Sequence, residues 1–276
     1  MSESIRAVVS DVDGTLVDRA KQLTPGTIAA VDRLRAAGID FTIISARPRS
    51  GMMPIADALG LDGAMGAFNG GTVFRRDGTV LCQHHVEPAL VAALFEVVGA
   101  APVDRWLFAD DRWYASTDQG HHVASERIAS NQAPIVTQDF TPLFGRADKI
   151  TFVSDDPALL AGLHDRVHQA FGDRATVVQS QTYYLDVTAR AANKGDGVAL
   201  LASAMEVPLA RLAVIGDQAN DLAMFDRAGL SIAMGQGPIE VRERAGFVTA
   251  GNDADGVAQA IDTIILPRCY VTGSSA

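Results

Sequence analysis

The sequence predicts an α/β protein: a doubly wound, mostly parallel sheet core interrupted by an inserted α+β domain. Three observations predict it. Short apolar runs alternate with helical patterns at both ends of the chain, the signature of right-handed βαβ units and a parallel sheet. The middle instead mixes hairpin turns with helices, which points to an antiparallel α+β unit. A strand that stops at an aspartate occurs in both end segments. The expected division is a discontinuous core of residues 1–80 and 189–276 around an insert of residues 81–188.

Residues 5–10 form an apolar, valine-rich run that stops at Asp11. Thr24-Pro25 starts a helix, because the hydroxyl caps free N–H groups and proline lacks a donor that the first turn does not need. Ile28, Val31 and Leu34 keep helical spacing, and Gly38 stops the helix. Residues 39–45 read as a strand, 48–59 as a helix and 63–68 as a third, short strand. After Asn69-Gly70-Gly71 the pattern changes. Asp77-Gly78 joins 72–75 to 79–83 as a hairpin turn, and Asp110-Asp111 lies inside a second hairpin at 106–116. Between them, 86–99 read as a helix whose stripe Leu90, Leu94 and Val97 belongs in a core. A polar stretch follows. Then come a strand at 149–154, a helix at 157–171 and strands at 175–180 and 182–187. The end returns to the opening style, with a helix at 195–205, a strand at 212–215, a helix at 222–228, a strand at 230–233 and a helix at 256–265. Glu240, Arg242, Glu243 and Arg244 read as a solvated helix face. The tail after Pro267 reads as frayed.

A chain of 276 residues that is 48% hydrophobic and 20% charged has enough apolar material for one large or two smaller domains. Disorder and a disulfide-stapled mini-fold are excluded. With 23 Lys plus Arg against 33 Asp plus Glu, the net charge is -10. That balance argues against nucleic acid and against anionic membranes as partners. One local cationic site can still bind a small anion. Cys82 and Cys269 lie far apart and form no Cys-x-x-Cys. The longest apolar stretch, 89–101, is broken by Glu96 and is too short to span a bilayer. No basic leader opens the chain. The expectation is a reduced, cytoplasmic protein, monomeric or homodimeric.

The chemistry concentrates in four places. Asp11-Val12-Asp13-Gly14-Thr15-Leu16 sets two carboxylates two residues apart at a strand's carboxyl end, where ligands bind in open α/β sheets. Such an oxygen-rich cluster suits Mg²⁺, a hard cation. Gly216-Asp217-Gln218-Ala219-Asn220-Asp221 repeats the arrangement after a second apolar strand, so Asp217 could complete the metal site. Ser45, at the end of its strand, offers a hydroxyl to a phosphate oxygen. Lys194 precedes a helix, where a cation opposes the helix dipole unless it faces an anion. His164 and His168 lack a further ligand at useful spacing and read as packed or solvated, and the adjacent pairs His84-His85 and His121-His122 point their side chains apart if extended, so none is read as a metal site.

In this order, Asp11-x-Asp13-Gly-Thr-Leu, Ser45, Lys194 and Gly216-Asp217-x-x-Asn220-Asp221 resemble the haloacid dehalogenase-like phosphohydrolases. The position of the insert, with Phe68-Asn69-Gly70-Gly71 and Asn252-Asp253-x-Asp255-Gly256-Val257, is similar to the Cof-type subfamily with its large α/β cap. Two details depart from the commonest forms: Ser45-Ala46-Arg47 stands for Thr-Gly-Arg, and Gln218 for Ser or Gly. The resemblance implies a Rossmann-like core and a Mg²⁺-dependent phosphatase of small phosphorylated metabolites, such as a sugar phosphate. Asp11 would be the nucleophile, forming an aspartyl-phosphate, and Asp13 the general acid and base. Lys194 would offset charge. Asp11, Asp13 (through its main chain) and Asp217 would hold the metal, with Asp221 orienting its waters. Ser45, Lys194 and Asn220 would bind phosphate, and Arg47 and Asn69 would meet the substrate or the cap. A phosphotransferase or phosphomutase of the same superfamily and a phospho-acceptor signalling module are the alternatives. Asp13 and the large insert argue against the last.

Overall fold

The computed structural model describes residues 4–269. The chain opens with β1 (Ala7–Ser10), α1 (Pro25–Ala36), β2 (Asp40–Ile43), α2 (Arg49–Leu59) and β3 (Ala64–Ala67). It continues through β4 (Thr72–Arg75), β5 (Val80–Gln83), α3 (Pro88–Val98), β6 (Asp104–Ala109) and β7 (Arg112–Ala115). Next come α4 (Val123–Ser130), β8 (Ile135–Val136), β9 (Ala147–Val153), α5 (Pro157–Phe171), β10 (Ala175–Gln181) and β11 (Tyr184–Ala189). The last part holds α6 (Lys194–Ala204), β12 (Leu212–Gly216), α7 (Leu222–Phe225), β13 (Leu230–Ala233), α8 (Ile239–Arg244), β14 (Phe247–Val248) and α9 (Gly256–Ala260).

Five parallel strands form the core sheet in the order β14-β13-β12-β1-β2, so both ends of the chain share one sheet. β1 is buried on both faces, which explains why its sequence is continuously apolar instead of alternating. Val8 and Ile215 pack on one side with α1, α2 and α9. Ala7, Val9 and Val214 pack on the other with α6, α7 and α8. Ser10 lies opposite both Ile43 and Ile215, so three neighbouring strands end level at one edge. The small antiparallel sheet β3-β4-β5 joins this edge through one bridge, Ile44 to Gly66.

The inserted domain carries a six-stranded sheet in the order β10-β11-β9-β6-β7-β8, antiparallel apart from the β7–β8 pair. Its faces differ. Leu107, Ile150, Phe152, Leu185 and Val187 pack under α3 and α5. Trp106, Phe108, Trp113 and Val153, on the opposite face, join the core's Met52, Phe68 and Phe74 in one apolar cluster. The insert therefore lies with its inner face down on the core.

Both expected hairpins form. Asp110 and Asp111 both adopt positive φ, 53° and 58°, which matches the twist a two-residue turn needs. The α3 stripe buries Leu90 and Leu94, while Val97 sits at its margin. α6 begins at Lys194 itself, capped by the Asn193 side chain on Asp196 N–H. α7 is shorter than expected, and α9 passes at Ile261 into π and 3₁₀ turns. The polar stretch conceals α4 and β8. The expected insert limits at 80/81 and 188/189 fall within β5 and β11. In the tail, Leu266–Arg268 form a 3₁₀ turn, and residues 270–276 lie outside the described residues. No helix among the described residues is long and apolar enough to cross a membrane.

Candidate active site

The turn after β1 creates the first half of the site. Asp11 N–H still donates to Ile215 O at 2.9 Å, extending the ladder by one residue. The chain then turns sharply, with the N–H groups of Leu16 and Val17 donating to Val12 O. Gly14 makes this possible: its φ is +82°, and a Cβ there would stand 2.5 Å from Asp217 Oδ2. Asp217, just beyond β12, accepts from Thr15 Oγ1 at 2.9 Å, tying the two loops together. Asp221 closes the second loop by accepting the N–H groups of Asp217 and Gln218 at 2.8 and 2.9 Å.

Lys194 links these loops through charge. Its Nζ lies 2.5 Å from Asp11 Oδ1 and 2.6 Å from Asp221 Oδ1. Asp11 is 5% exposed and Lys194 2%. Burial alone would push the lysine toward its neutral form, but Asp11 and Asp221 override it and hold its pKa above the usual range. Asp11 is raised well above a normal carboxylate, first by burial and then by Asp221 and Asp217, against the pull of Lys194. Asp217 is raised by burial and by Asp221. One lysine thus faces three buried acids.

Carboxylate oxygens of Asp11, Asp217 and Asp221 lie within 4.8 Å of one another, and among the described residues this is the one such group of three ligand-type side chains. The donors are all hard oxygens, and the acids carry more negative charge than Lys194 balances. Both features fit a small divalent cation such as Mg²⁺.

Asp13 points to a separate partner set. Arg47 grips its carboxylate with two bonds, Nε to Oδ2 at 2.7 Å and Nη2 to Oδ1 at 2.8 Å. Lys21 Nζ adds a third at 2.5 Å. Burial raises the pKa of Asp13, but Arg47 and Lys21 outweigh it and hold the group far below the ordinary range. Arg47, expected against substrate or cap, is buried and also donates to Gly51 O at 3.2 Å. Ser45 is buried at the end of its strand; its Oγ accepts from Arg47 N–H at 3.2 Å, and its carbonyl from Asn69 N–H at 2.7 Å. Asn220 is exposed and donates to Asn69 Oδ1 at 3.2 Å. Asp11, Lys194, Asp217 and Asp221 therefore form one buried cluster. Asp13 with Arg47, and Asn69 with Asn220, stand beside it.

Three contributors were not anticipated. Thr15 orients Asp217, and its place in Asp-Gly-Thr was a usable signal. Gln236 Nε2 donates to Gly14 O at 2.5 Å, and Lys21 reaches Asp13 from a turn in which its own φ is 62°. Neither carried a signal, since each depends on how distant loops fold back. The histidine pairs make contacts apart from this cluster: His121 and His122 share Asp155, His164 stacks on His168, His84 meets Cys82 and His85 meets Asp148.

The sequence profile of the haloacid dehalogenase-like hydrolases matches residues 8–261. The pyridoxal phosphate phosphatase YbhA of Escherichia coli (strain K12) is 25% identical over 266 residues, covering 93% of this chain and 97% of that protein. The HMP-PP phosphatase of Yersinia enterocolitica is 27% identical over 230 residues, covering 83% and 84%. A haloacid dehalogenase-like hydrolase from Bacteroides thetaiotaomicron has the same fold, with a TM-score of 0.85 at 24% identity over 94% of this chain and 98% of that one. The profile match runs through both end segments and the insert between them, and these two relatives are named phosphatases. The protein is an enzyme that belongs to the haloacid dehalogenase-like hydrolases.

Proposed function

We propose that the protein is a Mg²⁺-dependent phosphatase of small phosphate monoesters, sugar phosphates or related metabolites, working through an aspartyl-phosphate on Asp11. The observation that carries this is the buried cluster in which Lys194 bonds Asp11 and Asp221 while Asp217 stands alongside. A carboxylate aimed at a phosphate dianion meets repulsion, and positive charge fixed in advance removes it. Lys194 supplies one such charge. Asp11 and Asp217, with the Asp13 carbonyl, would hold Mg²⁺, and Asp221, whose oxygens already accept from Lys194 and from two backbone N–H groups, would orient its waters; the metal would supply further charge to the phosphoryl oxygens. Ser45 and Asn220 would donate to those oxygens.

In the first half-reaction an Asp11 oxygen attacks phosphorus in line, the ester P–O bond breaks, and the leaving oxygen takes a proton from Asp13. In the second, water attacks the phosphoryl group, Asp13 takes the water's proton, and Asp11 departs as a carboxylate. This acid–base work is worth about 10²–10⁴-fold. The ionised Asp13 held by Arg47 is in the form that accepts a proton. To donate one in the first half-reaction, it must first loosen from Arg47 and take up a proton from solvent. An incoming phosphate dianion competes for that guanidinium and so favours the exchange. The segment of residues 81–188 would act as the cap that excludes water and reads the leaving group.

The test is phosphate release from a panel of phosphorylated metabolites with Mg²⁺, with a chelator, and with Asp11→Asn. The variant is expected to keep its fold and lose about 10⁴-fold or more in turnover. Near-native release by Asp11→Asn, or full activity in the chelator, would overturn the reading.

A further inference from the structure

Glu126 is a buried carboxyl, 7% exposed, with no part in the chemistry above. It belongs to the stripe Val123, Glu126 and Ser130, the buried face of α4. That face lies hard against α2. A Cβ on Gly51 would run into the Ala129 carbonyl, and Ser50 Oγ donates to Ser130 O at 2.7 Å. Arg47, the partner of Asp13, donates to Gly51 O at the same place. Glu126 thus stands one turn from the junction where the inserted domain meets the catalytic turn.

The inner face of the inserted sheet continues this wall. Phe108 lies opposite Lys149, Trp106 opposite Thr151, and Thr151 opposite Asp186, so these side chains share the face. Lys149 Nζ sits 4.6 Å above the Phe108 ring and 3.4 Å from Ala46 O, beside Ser45. Asp186 is already satisfied, accepting from Thr151 Oγ1 and Ser180 Oγ at 2.6 Å each. Glu126 is not: among the described residues its carboxylate accepts no hydrogen bond, and Lys149, Asp186, Asp13 and Arg47 act on it through charge. The indole N–H groups of Trp106 and Trp113 are buried on the same face without an acceptor among the described residues. A wall built for stability pairs its buried polar groups. This one keeps an acceptor and two donors uncommitted beside the catalytic turn.

We propose that Glu126 is the residue with which the inserted domain recognises the ester's leaving group, accepting a hydrogen bond from its hydroxyl or amino donor. The proposal rests on the phosphatase reading. Lys149 donates from the adjoining strand. Three acids, Glu126, Asp186 and Asp13, against two cations, Lys149 and Arg47, select leaving groups that bring donors and no second negative charge. Polyol or amino-alcohol monoesters fit; carboxylated esters and bisphosphates do not.

The experiment compares kcat/KM in the wild type, Glu126→Gln and Glu126→Ala. Its substrates are the best of a set of hexose, pentose and glycerol phosphates, 3-phosphoglycerate as the carboxylated ester, and acetyl phosphate, whose leaving group is too small to reach the wall. The ratio of polyol ester to acetyl phosphate is expected to fall by about tenfold or more in Glu126→Ala, with a smaller fall in Glu126→Gln. The ratio of 3-phosphoglycerate to polyol ester is expected to rise in both. A purely structural role lowers all three substrates together and leaves the ratios flat, which overturns the proposal. Preference of the wild type for 3-phosphoglycerate overturns it too. Absence of release from every substrate, acetyl phosphate included, defeats the phosphatase reading and this proposal with it.

Discussion

On the core side of the site, each buried charge has a partner set by a nearby turn. Lys194 answers Asp11 and Asp221, two backbone N–H groups answer Asp221, Thr15 answers Asp217, and Arg47 answers Asp13. On the inserted side, among the described residues, Glu126 has charges around it and no donor, and Trp106 and Trp113 have donors and no acceptor. The contrast separates two tasks. The phosphoryl group is the same in every substrate, so its partners are arranged in advance and need no reorganisation when it reacts. The leaving group varies. A group that reads it must keep a bond free, because a satisfied acceptor does not discriminate between ligands.

Removing Lys194 breaks this contrast most severely, since the core side, the floor of the site, then resembles the inserted side, its roof. Lys194→Met keeps the side chain's length but leaves Asp11 and Asp221 uncompensated in a buried site. Removing one partner of a buried pair costs on the order of 3–5 kcal/mol. Turnover is expected to fall by about 10³-fold or more, because a preorganised charge at the reacting group is lost. Thermal unfolding with and without Mg²⁺ is the check. The variant's midpoint should rise more with Mg²⁺ than the wild type's, while turnover stays low. A midpoint that ignores Mg²⁺ in both proteins would argue against the carboxylates as the metal's ligands.

How much could be read in advance follows the same division. Asp11, Asp13, Asp217 and Asp221 stand out because a strand end puts short-range residues into a shared edge, and β1 and β12 are neighbours in register. Lys194 stood out because its charge opposes the dipole of the helix it opens, and in the structure that helix start faces two carboxylates. The Arg47–Asp13 pair joins residues 34 apart and depends on where α2 begins relative to the turn after β1, which no local pattern encodes. Glu126 was hidden more deeply. α4 has 8 residues, no side-chain cap at His122, and an acid in the middle of its buried stripe. That acid erases the apolar periodicity by which a helix is recognised. The feature that makes Glu126 a candidate for function is the one that made its helix unreadable.

A smaller perturbation of the floor tests its geometry instead of its charge. Gly14→Ala places a methyl on a residue with φ +82°, 2.5 Å from Asp217 Oδ2. Left-handed backbone at a non-glycine residue costs about 1–3 kcal/mol. The methyl also pushes Asp217 off its bond with Thr15. The expected result is a loss of that size in chemical denaturation, with a weaker apparent affinity for Mg²⁺ measured by titration of activity. Unchanged Mg²⁺ dependence would mean that Asp217 can shift freely and that the Thr15 bond does not position it.

The roof allows the gentlest test, because an acid without a donor should be more stable once it is no longer an acid. Burial, with Asp186 and Asp13 adding to it against Lys149 and Arg47, pushes the Glu126 pKa up from 4.5 to about 7. Folding therefore favours its protonated form. The stabilisation from that proton is fully present below the unfolded value, near pH 4.5, and is lost as pH rises through about 7. Between pH 5 and pH 8 the wild type should lose about 2–3 kcal/mol more than Glu126→Gln, which cannot titrate there. Asp11 and Asp217 are raised in the same direction, so the wild type's slope alone does not isolate Glu126, but the difference between the two proteins does. Denaturant midpoints measured at pH 5, 6.5 and 8 give that difference. If the two curves run parallel, Glu126 has found a donor in solution, and the uncommitted acceptor on which the contrast between floor and roof depends is not there.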